Sequence, residues 1–302
     1  MSIEWKHGEC LITGGAGFLG SHLVTQLLTR YTDISIRVVA RNENELSRLA
    51  TLCPGDKRLT LTIGDIRDID TLGYILQGAK TVIHLAAMKH IDLCESNPAE
   101  AIGTNVYATE NMLDMFEGDT FISMSTDKAV DVTGCYGATK LLLEKLTIDR
   151  ALKYPGNGKR YMVVRSGNIF GSTGSVIPKW IQQIRQYNEI TITDPQMTRF
   201  FIHVADLSSF IIYTIEQGCS GNVYIPDQAT IRLHDLAKEV VYLYGNKDTK
   251  IRVTGLRSGE KLHERLFHLT ESNIVTSCQH ETSDKGVGQP DIIRSWLENY
   301  GD

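Results

Sequence analysis

Short apolar runs alternate with longer amphipathic stretches over the first half of the chain. The short runs are rich in branched residues and are typical of buried strands, whereas the longer stretches repeat their apolar residues at helical spacing, as Leu23 and Leu27 do. The predicted strands are Cys10–Thr13, Ser35–Ala40, Leu59–Ile63, Thr81–Ala86, Thr120–Ser125 and Tyr161–Arg165. The main predicted helices are Gly17–Tyr31, Asn97–Phe116 and Tyr136–Tyr154. This alternation indicates a parallel sheet covered by helices on both faces.

The regular alternation ends near Arg165. Beyond it the loops lengthen, and glycine and proline fall at irregular intervals. A chain of 302 residues is expected to form about two domains. We therefore predict an α/β fold, with a Rossmann-type, doubly wound parallel sheet over residues 1–165 and a smaller C-terminal substrate lobe over 166–302. Late elements of that lobe are expected to return to the main sheet, so that the two parts are interleaved.

Composition narrows the class of partner. Hydrophobic residues make up 42% of the chain and charged residues 22%, which is typical of a globular protein. The net charge of −5, without a long basic run, argues against nucleic acid as the main partner. No apolar run approaches the ~20 residues that span a bilayer, and residues 1–9 do not resemble a signal peptide, so we expect no membrane partner and a cytoplasmic location. The six cysteines show no C-x-x-C spacing, and no metal site is expected.

A glycine-rich turn follows the first predicted strand. Gly14, Gly17 and Gly20 stand between that strand and the first predicted helix. The missing side chains allow a tight turn and the close approach of a pyrophosphate, to which the helix N-terminus offers free N–H groups. With a strand before it and a helix after it, the motif predicts a dinucleotide site.

The end of the second predicted strand distinguishes the two nicotinamide dinucleotides. An acidic residue there binds the ribose 2′-hydroxyl of NAD, whereas an arginine accepts the 2′-phosphate of NADP. Arg41 occupies this position, so we predict NADP, with NAD as the less favoured alternative through Glu43. Asp65, after the third predicted strand, is placed to accept a hydrogen bond from the adenine amino group, although a turn or helix-cap role fits it equally.

Tyr136 and Lys140 are spaced to share one face of a predicted helix. A nearby ammonium favours the phenolate, so that the tyrosine can take a hydroxyl proton while a hydride leaves the same carbon. Ser125 or Thr126, at the end of the preceding strand, is placed to hold the reacting hydroxyl.

An acid–amine pair, Asp127 and Lys128, directly follows that strand. Oxidation at C4 of a hexose makes the C5 proton acidic, and a base can then remove it while an acid protonates the departing C6 hydroxyl. Lys128 is the candidate base, provided that desolvation and positive neighbours lower its pKa, and Asp127 is the candidate acid. A plain dehydrogenase or 4-epimerase has no evident use for this pair. A solvent-exposed, structural pair fits the spacing equally well.

These motifs resemble those of extended short-chain dehydrogenase/reductases. More narrowly, they resemble the inverting bacterial UDP-N-acetylglucosamine 4,6-dehydratases of pseudaminic acid and capsular sugar synthesis. The resemblance covers residues from about 8 to about 270. Its segments are Thr13–Gly20, Ala86–His90, Asn97–Pro98, Ser125–Ala129, Tyr136–Lys140, Arg165–Asn168, Gly174–Pro178, Thr193–Phe200 and Gly259–Glu264. The Asp127–Lys128 pair and the Asp194–Arg199 segment are the most specific of them.

The resemblance implies an NADP-dependent removal of water from a UDP-N-acetylhexosamine, with inversion at C5. The catalytic residues that it implies are Thr126, Asp127, Lys128, Tyr136 and Lys140. The predicted cofactor contacts are Gly14, Gly17, Phe18, Leu19, Gly20, Arg41, Asp65, Ile66, Leu85, Ala86, Ala87, Lys89, Tyr136 and Lys140. The predicted substrate contacts are Lys89, Asn168, Val176, Pro178, Arg199, Arg257 and Glu260. The two arginines are expected on the diphosphate.

The chain departs from the family pattern at Val132, Gly134, Thr173 and Ser258. An arginine usually fills the position of Thr173, so one phosphate or cofactor contact differs. The departures bear on stereochemistry and substrate more than on the type of reaction. Three alternatives stay open: a 5,6-dehydratase that returns the hydride to C4, a UDP-sugar 4-epimerase or reductase with a structural Lys128, and a non-catalytic nucleotide-sensing protein.

Two predicted helices carry more apolar residues than a contact with the sheet requires. These residues are Met112, Leu113 and Met115 on the first, and Leu142 and Leu146 on the second. Pairing with a twofold mate would bury them, so we expect a homo-oligomer, either a dimer or a larger assembly.

Overall fold

The computed structural model describes residues 8–156, 158–256, 260–278, 281–284, 290–298 and 300. Its strands are β1 (Glu9–Thr13), β2 (Ser35–Ala40), β3 (Leu59–Ile63), β4 (Ala79–His84), β5 (Thr120–Thr126), β6 (Arg160–Ser166), β7 (Asn168–Ile169), β8 (Glu189–Ile192), β9 (Thr198–Ile202), β10 (Val223–Ile225), β11 (Ala229–Arg232), β12 (Lys250–Val253) and β13 (Ile274–Thr276). Eight of them form one sheet in the order β3-β2-β1-β4-β5-β6-β10-β13, and all neighbouring pairs in it are parallel.

Helices connect most of these strands. They are α1 (Phe18–Arg30), α2 (Glu43–Leu52), α3 (Ile69–Leu76), α4 (Ile91–Ser96), α5 (Pro98–Ile102), α6 (Ala108–Met115), α7 (Cys135–Lys153), α8 (Val176–Tyr187), α9 (Val204–Gln217), α10 (Leu233–Tyr244) and α11 (Pro290–Glu298). A π-helical turn, Gly103–Tyr107, joins α5 to α6. A 3-10 turn, Asp127–Ala129, directly follows β5. This turn carries the acid–amine pair singled out above.

The sheet is covered on both faces, as two neighbouring residues of β1 show. Ile12 packs into one core with Leu23 and Leu27 of α1, whereas Leu11 packs into the opposite core with Met112 of α6. Successive side chains of a strand point to opposite faces, so each main strand contributes to both cores. The strand order from β3 to β6 is that of the dinucleotide-binding folds. The Rossmann-type, doubly wound α/β fold predicted from the sequence is therefore confirmed.

The late elements divide between two places. β10 and β13 extend the main sheet beyond β6, as expected for an interleaved lobe. The other late strands form a three-stranded sheet, β11-β9-β7, and a two-stranded sheet, β12-β8. These pack around a second core that contains the buried Trp180 and Ile184 of α8. The division of the chain at residue 165 stays a prediction.

Two predicted elements differ from the observed ones. The predicted strand Thr81–Ala86 is observed two positions earlier, as Ala79–His84. It does not extend to Ala86, because the Ala86 N–H donates to the Thr13 hydroxyl instead of continuing the backbone ladder. The predicted helix Asn97–Phe116 contains the π-helical turn. In that turn the buried Asn105 side chain bonds both the N–H and the C=O of Met88. The turn thereby fixes the loop after β4, and π-helical turns of this kind are common near functional sites.

The helix faces assigned to an oligomer contact are mostly covered within the chain itself. Met112 and Leu113 are buried against the sheet, and Met115 and Leu146 pack partly into the same core. Of the five residues, Leu142 is the exposed one. The apolar surplus thus belongs to the core, and the homo-oligomer stays a prediction. In the described ranges, no helix has the length and apolar character needed to cross a bilayer.

Candidate active site

A cleft of about 800 Å³ runs along the carboxyl ends of the main-sheet strands and is closed on its other side by late elements. Ligands of open α/β sheets bind at this edge. The predicted site residues that line it are Gly14, Gly17, Phe18, Leu19, Gly20, Arg41, Asp65, Ile66, Leu85, Ala86, Ala87, Lys89, Thr126, Lys128, Tyr136, Lys140, Asn168, Val176, Arg199 and Glu260. Asp127 and Pro178 do not line it, and Arg257 lies outside the described residues. The roles of the lining residues stay predictions.

The glycine turn is too tightly packed for side chains at two of its positions. Gly14 has a φ of +67°, and a Cβ there would lie 2.8 Å from the backbone nitrogen of Ala86. A Cβ at Gly20 would lie 2.4 Å from the Cα of Gly15. Gly17 is the N-cap of α1, and the first N–H groups of a helix have no carbonyl partner within it. The turn and the helix start therefore fit a pyrophosphate.

Arg41 lies at one end of the cleft, with 60% of its side chain exposed and its guanidinium 3.9 Å from Asp65. Asp65 is already engaged, because Arg67 donates to both of its carboxylate oxygens and these hydrogen bonds lower the pKa of Asp65. An adenine amino group would therefore compete with Arg67. Glu43, the acid expected to favour NAD, does not line the cleft, whereas Glu45 does.

The turn after β5 places the acid behind the amine. Asp127 is fully buried, and its Oδ1 accepts hydrogen bonds from the Thr126 hydroxyl at 2.8 Å and from the Lys128 ammonium at 3.0 Å. Lys128 keeps 19% of its side chain exposed and lines the cleft. The solvent-exposed structural pair that the spacing also allowed is therefore not what the fold contains.

Tyr136 and Lys140 lie on α7, directly beside this turn. A Cβ at Gly137 would lie 2.2 Å from the carbonyl oxygen of Lys128, so glycine is what lets the helix touch the turn. Lys140 is buried and donates to the carbonyl oxygen of Met124 at 2.8 Å. The phenol and the two amines are thus brought to one wall of the cleft, with the acid buried behind Lys128.

Burial governs the proton affinities of the two α7 groups. It raises the pKa of Tyr136 to about 12, against the opposite effects of Lys128 and of a hydrogen bond with Thr126. It lowers the pKa of Lys140 to about 8. The sequence predicts that Lys140 and a positively charged nicotinamide ring together lower the tyrosine pKa; among the protein's own groups, desolvation of the phenolate is the stronger effect and raises it.

The pKa of Lys128 also differs from the expectation. Burial acts to lower it, but the carboxylates of Asp127 and Glu264 outweigh burial, and the net pKa is raised above the ordinary lysine value. The predicted lowering fails because Glu264, which is remote in sequence, adds its negative charge to that of Asp127. Lys128 therefore carries a proton near neutral pH.

Lys89 and Thr173 meet across the cleft. The ammonium of Lys89 donates to the carbonyl oxygen of Thr173 at 3.1 Å, which joins the loop after β4 to the loop before α8. Asn168 donates to a backbone carbonyl of β9 at 3.1 Å. Val176 begins α8 and lines the cleft, whereas Pro178 in the same helix does not. Pro178 is a predicted substrate contact that does not line the cleft.

The guanidinium of Arg199 is already engaged in several hydrogen bonds within the protein. It donates to the carbonyl oxygens of Thr198 at 2.7 Å, Lys261 at 2.8 Å and Leu262 at 3.2 Å. These bonds fix the segment that also brings Glu260 to the cleft. A diphosphate could use only the N–H groups that remain.

Sequence reasoning missed two residues of the site. Glu264 is buried within ion-pair distance of Lys128 and Arg199. Glu264 belongs to the Gly259–Glu264 segment, which carries part of the family resemblance. The residues next to Glu264 in the sequence, however, do not indicate that its side chain is buried. The sequence pattern predicts an unbroken helix around Asn105, which lies in the π-helical turn instead. A polar amide among buried helix residues was the available signal.

A parallel sheet of this order, with a glycine turn after β1 and a Tyr-x-x-x-Lys helix, defines the Rossmann-type fold of short-chain dehydrogenase/reductases. The chain belongs to the family described as polysaccharide biosynthesis protein, whose family model matches residues 10–284. A protein of Methanocaldococcus jannaschii described as an uncharacterized membrane protein is 38% identical over 277 residues, covering 88% of this chain and 82% of that protein. The UDP-glucose 4-epimerase of Rickettsia akari is 37% identical over 264 residues, covering 85% of this chain and 76% of that enzyme.

Solved structures share the whole architecture. Pen from Bacillus thuringiensis superposes with a TM-score of 0.90 at 28% identity, covering 99% of each chain. The dTDP-glucose 4,6-dehydratase DesIV from Streptomyces venezuelae, solved with NAD bound, superposes with a TM-score of 0.75 at 23% identity, covering 84% of this chain and 86% of that one. The second likeness shows the fold alone.

Proposed function

We propose that this protein is a nicotinamide-dependent enzyme that removes water from UDP-N-acetylglucosamine by 4,6-dehydration. The observation that carries the proposal is the position of Lys128 in the cleft, 3.0 Å from Asp127 and beside Tyr136. Hydride transfer needs only the tyrosine and its lysine, whereas elimination of water also needs an acid and a base. The family description and the names of similar enzymes support a nucleotide sugar as the substrate class.

The glycine turn supports a dinucleotide. Gly14 and Gly20 have no room for a side chain, so the backbone at the start of α1 stays open to a pyrophosphate. When bound, the cofactor would supply a hydride acceptor for C4 and a hydride donor for C6. NADP is the proposed form, since the ion pair of Arg41 with Asp65 is long and leaves the guanidinium available to a 2′-phosphate. NAD, present in the DesIV structure, is the alternative, and Glu45 would then meet the ribose hydroxyls.

Tyr136 takes the proton of the C4 hydroxyl during oxidation. Ser125 and Thr126 both line the cleft, and the buried Ser125 hydroxyl has no hydrogen-bond partner in the described part of the chain. These two side chains are therefore placed to hold the C4 hydroxyl. Because burial raises the pKa of Tyr136 to about 12, its ionised form is scarce but strongly basic.

The elimination uses the proton of the Lys128 ammonium, which Asp127 accepts in a hydrogen bond. Transfer of the ammonium proton to Asp127 leaves a free amine in the cleft and a neutral acid behind it, without exchange with solvent. The amine takes the C5 proton, and the C5–C6 double bond forms as the C6–O bond breaks. The Asp127 proton reaches the leaving oxygen through the Thr126 hydroxyl, 2.8 Å away, and water departs. Return of the hydride to C6 and protonation of C5 by a solvent molecule on the face opposite Lys128 would give the inverted 4-keto-6-deoxy sugar, and Tyr136 would release the C4 proton to solvent.

A UDP-sugar 4-epimerase is the second candidate. The names of the Rickettsia relatives, which are 34–37% identical to this chain, favour it. In that reaction no water leaves, and Lys128 has no proton to move. A 5,6-dehydratase would use the same residues and return the hydride to C4, and a nucleotide-sensing protein would show no turnover.

Mass spectrometry and proton NMR of the purified protein with NADP and UDP-N-acetylglucosamine in deuterated water test these candidates. Loss of one water with a new C6 methyl group and deuterium at C5 is the expected result, and the C5 couplings report inversion. A product of unchanged mass with an inverted C4 would identify the epimerase. A water-loss product with a C5–C6 double bond would identify the 5,6-dehydratase. No reaction with any UDP-sugar would contradict the enzyme assignment.

A further inference from the structure

Glu264 is a buried carboxylate that lies between three cations. Only 4% of its side chain is exposed, and its Oε1 lies 3.7 Å from Nζ of Lys128 and 3.7 Å from Nε of Arg199. Its Oε2 lies 3.5 Å from Nζ of Lys261. No described residue donates a hydrogen bond to Oε2. Glu264 therefore acts on these cations mainly through its charge.

The segment that carries Glu264 is fixed against the turn after β5. Lys261 donates to the backbone carbonyl of Val130 at 2.6 Å, and Arg265 pairs with Asp131 at 3.0 Å. Asp131 has a φ of 48°, a left-handed conformation that aspartate tolerates better than most residues. These contacts flank Glu264 on both sides in the sequence, so the fold itself sets its distance from the lysine of the turn.

We propose that Glu264 is a positioning residue for the elimination step: its carboxylate favours the protonated form of the Lys128 amine and thereby makes the free amine a stronger base. The proposal rests on the proposed function, because it concerns the base of that reaction. In the described part of the chain, the other charged or titratable groups around Lys128 include Asp127 in its own turn, Tyr136 on α7, Arg199 on β9 and Lys261 in the segment of Glu264.

The balance of charges around Lys128 explains the effect. Burial lowers the pKa of Lys128, but Asp127 and Glu264 together outweigh burial and Arg199. Without the charge of Glu264, the carboxylate of Asp127 alone would oppose the positive charges of Arg199 and Lys261 near Lys128. The amine would then release its proton at lower pH, and the weaker base would take the C5 proton less readily.

The test is Glu264→Gln in the full-length chain, with the Lys128 amine observed directly. Protein that contains lysine labelled with carbon-13 at Cε is titrated by NMR, and Lys128→Arg identifies the Lys128 signal. We expect the midpoint of Glu264→Gln to lie at lower pH than that of the wild type. An unchanged midpoint would overturn the proposal. Because the titration uses no substrate, its result does not depend on whether the proposed function is correct.

Turnover provides a second readout. In Glu264→Gln, the fall of kcat/KM for loss of water at high pH, where the Lys128 ammonium loses its proton to solvent, should move to lower pH, and the plateau should fall severalfold. A plateau that falls without any movement along the pH axis would contradict the role through Lys128. If the wild type removes no water from UDP-N-acetylglucosamine, the proposed function fails, and the NMR midpoint still decides the role of Glu264.

Asp131→Asn is the matched control. It weakens the contact with Arg265 that holds the segment but leaves the charge of Glu264 in place. Its Lys128 midpoint should equal that of the wild type. An equal shift in Asp131→Asn and Glu264→Gln would mean that Glu264 only holds the segment, and the proposal would be wrong. Glu264→Asp, which keeps the charge, should restore most of the wild-type midpoint.

Discussion

The ammonium of Lys128 lies 3.0 Å from the carboxylate of Asp127, its neighbour in the chain. In a strand, neighbouring side chains point to opposite faces. The 3-10 turn that begins at Asp127 changes this, so that an acid and an amine from adjacent positions meet at the edge of the sheet. The two groups form a hydrogen-bonded ion pair in which the Lys128 ammonium donates to the Asp127 carboxylate.

Lys128→Ala should separate the two halves of the proposed reaction. The hydride step should persist, because Tyr136 and Lys140 are unchanged, whereas loss of water should fall by roughly 10²–10⁴-fold, the usual contribution of a general base. Cofactor absorbance in a single turnover and product mass would show this. Tyr136→Phe is the control that should lose both steps. Loss of water at the wild-type rate in Lys128→Ala would remove this lysine from the mechanism.

Arg41→Ala should weaken the binding of NADP by about tenfold or more and change that of NAD little, because only NADP carries the 2′-phosphate. Calorimetry with both dinucleotides measures the two affinities. Arg67→Ala is a suitable comparison, since that arginine is engaged by Asp65 and Glu100 at the same corner. Equal losses of NAD and NADP in Arg41→Ala would argue for NAD as the natural cofactor.

Glu144→Gln should destabilise the fold. Glu144 accepts two hydrogen bonds from Arg165, at 2.8 and 2.7 Å, and both side chains are buried. Removing one partner of a buried pair lowers the free energy of unfolding by about 3–5 kcal/mol. Urea unfolding measures this value. Asp114→Asn, which breaks the more exposed pair with Arg150, should change it by less than about 1 kcal/mol.

His84→Gln should make the protein less sensitive to acid. His84 is buried between the hydroxyls of Thr13 and Thr109, at 2.7 and 3.0 Å, and burial lowers its pKa to about 3. The unfolded chain binds this proton near pH ~6.5, so the wild type loses about 1.4 kcal/mol of stability per pH unit between that pH and the folded pKa. Unfolding at pH 7 and at pH 5 measures the loss. Identical losses in both proteins would show that His84 titrates within the fold.

The fold was largely predictable because strands buried on both faces are continuous apolar runs. Thr126 and Lys128 could be placed because they lie at the end of such a run, and Tyr136 because its spacing from Lys140 puts both on one face of a helix. Glu264 could not, since its burial depends on contacts between distant parts of the chain. The wrong direction for the Lys128 pKa has the same origin: its immediate neighbours indicate one carboxylate, and the fold supplies two.

The contact between the segment of Glu264 and the turn after β5 has a consequence for synthesis on the ribosome. A nascent chain that has emerged as far as β12 already contains the glycine turn, Tyr136 and the acid–amine pair. The segment that fixes the pair is still missing from the folded part, because Lys261 and Arg265 have not yet emerged from the ribosome. The cofactor half can therefore form first, whereas the elimination groups reach their final arrangement only after the segment of Glu264 has joined the fold.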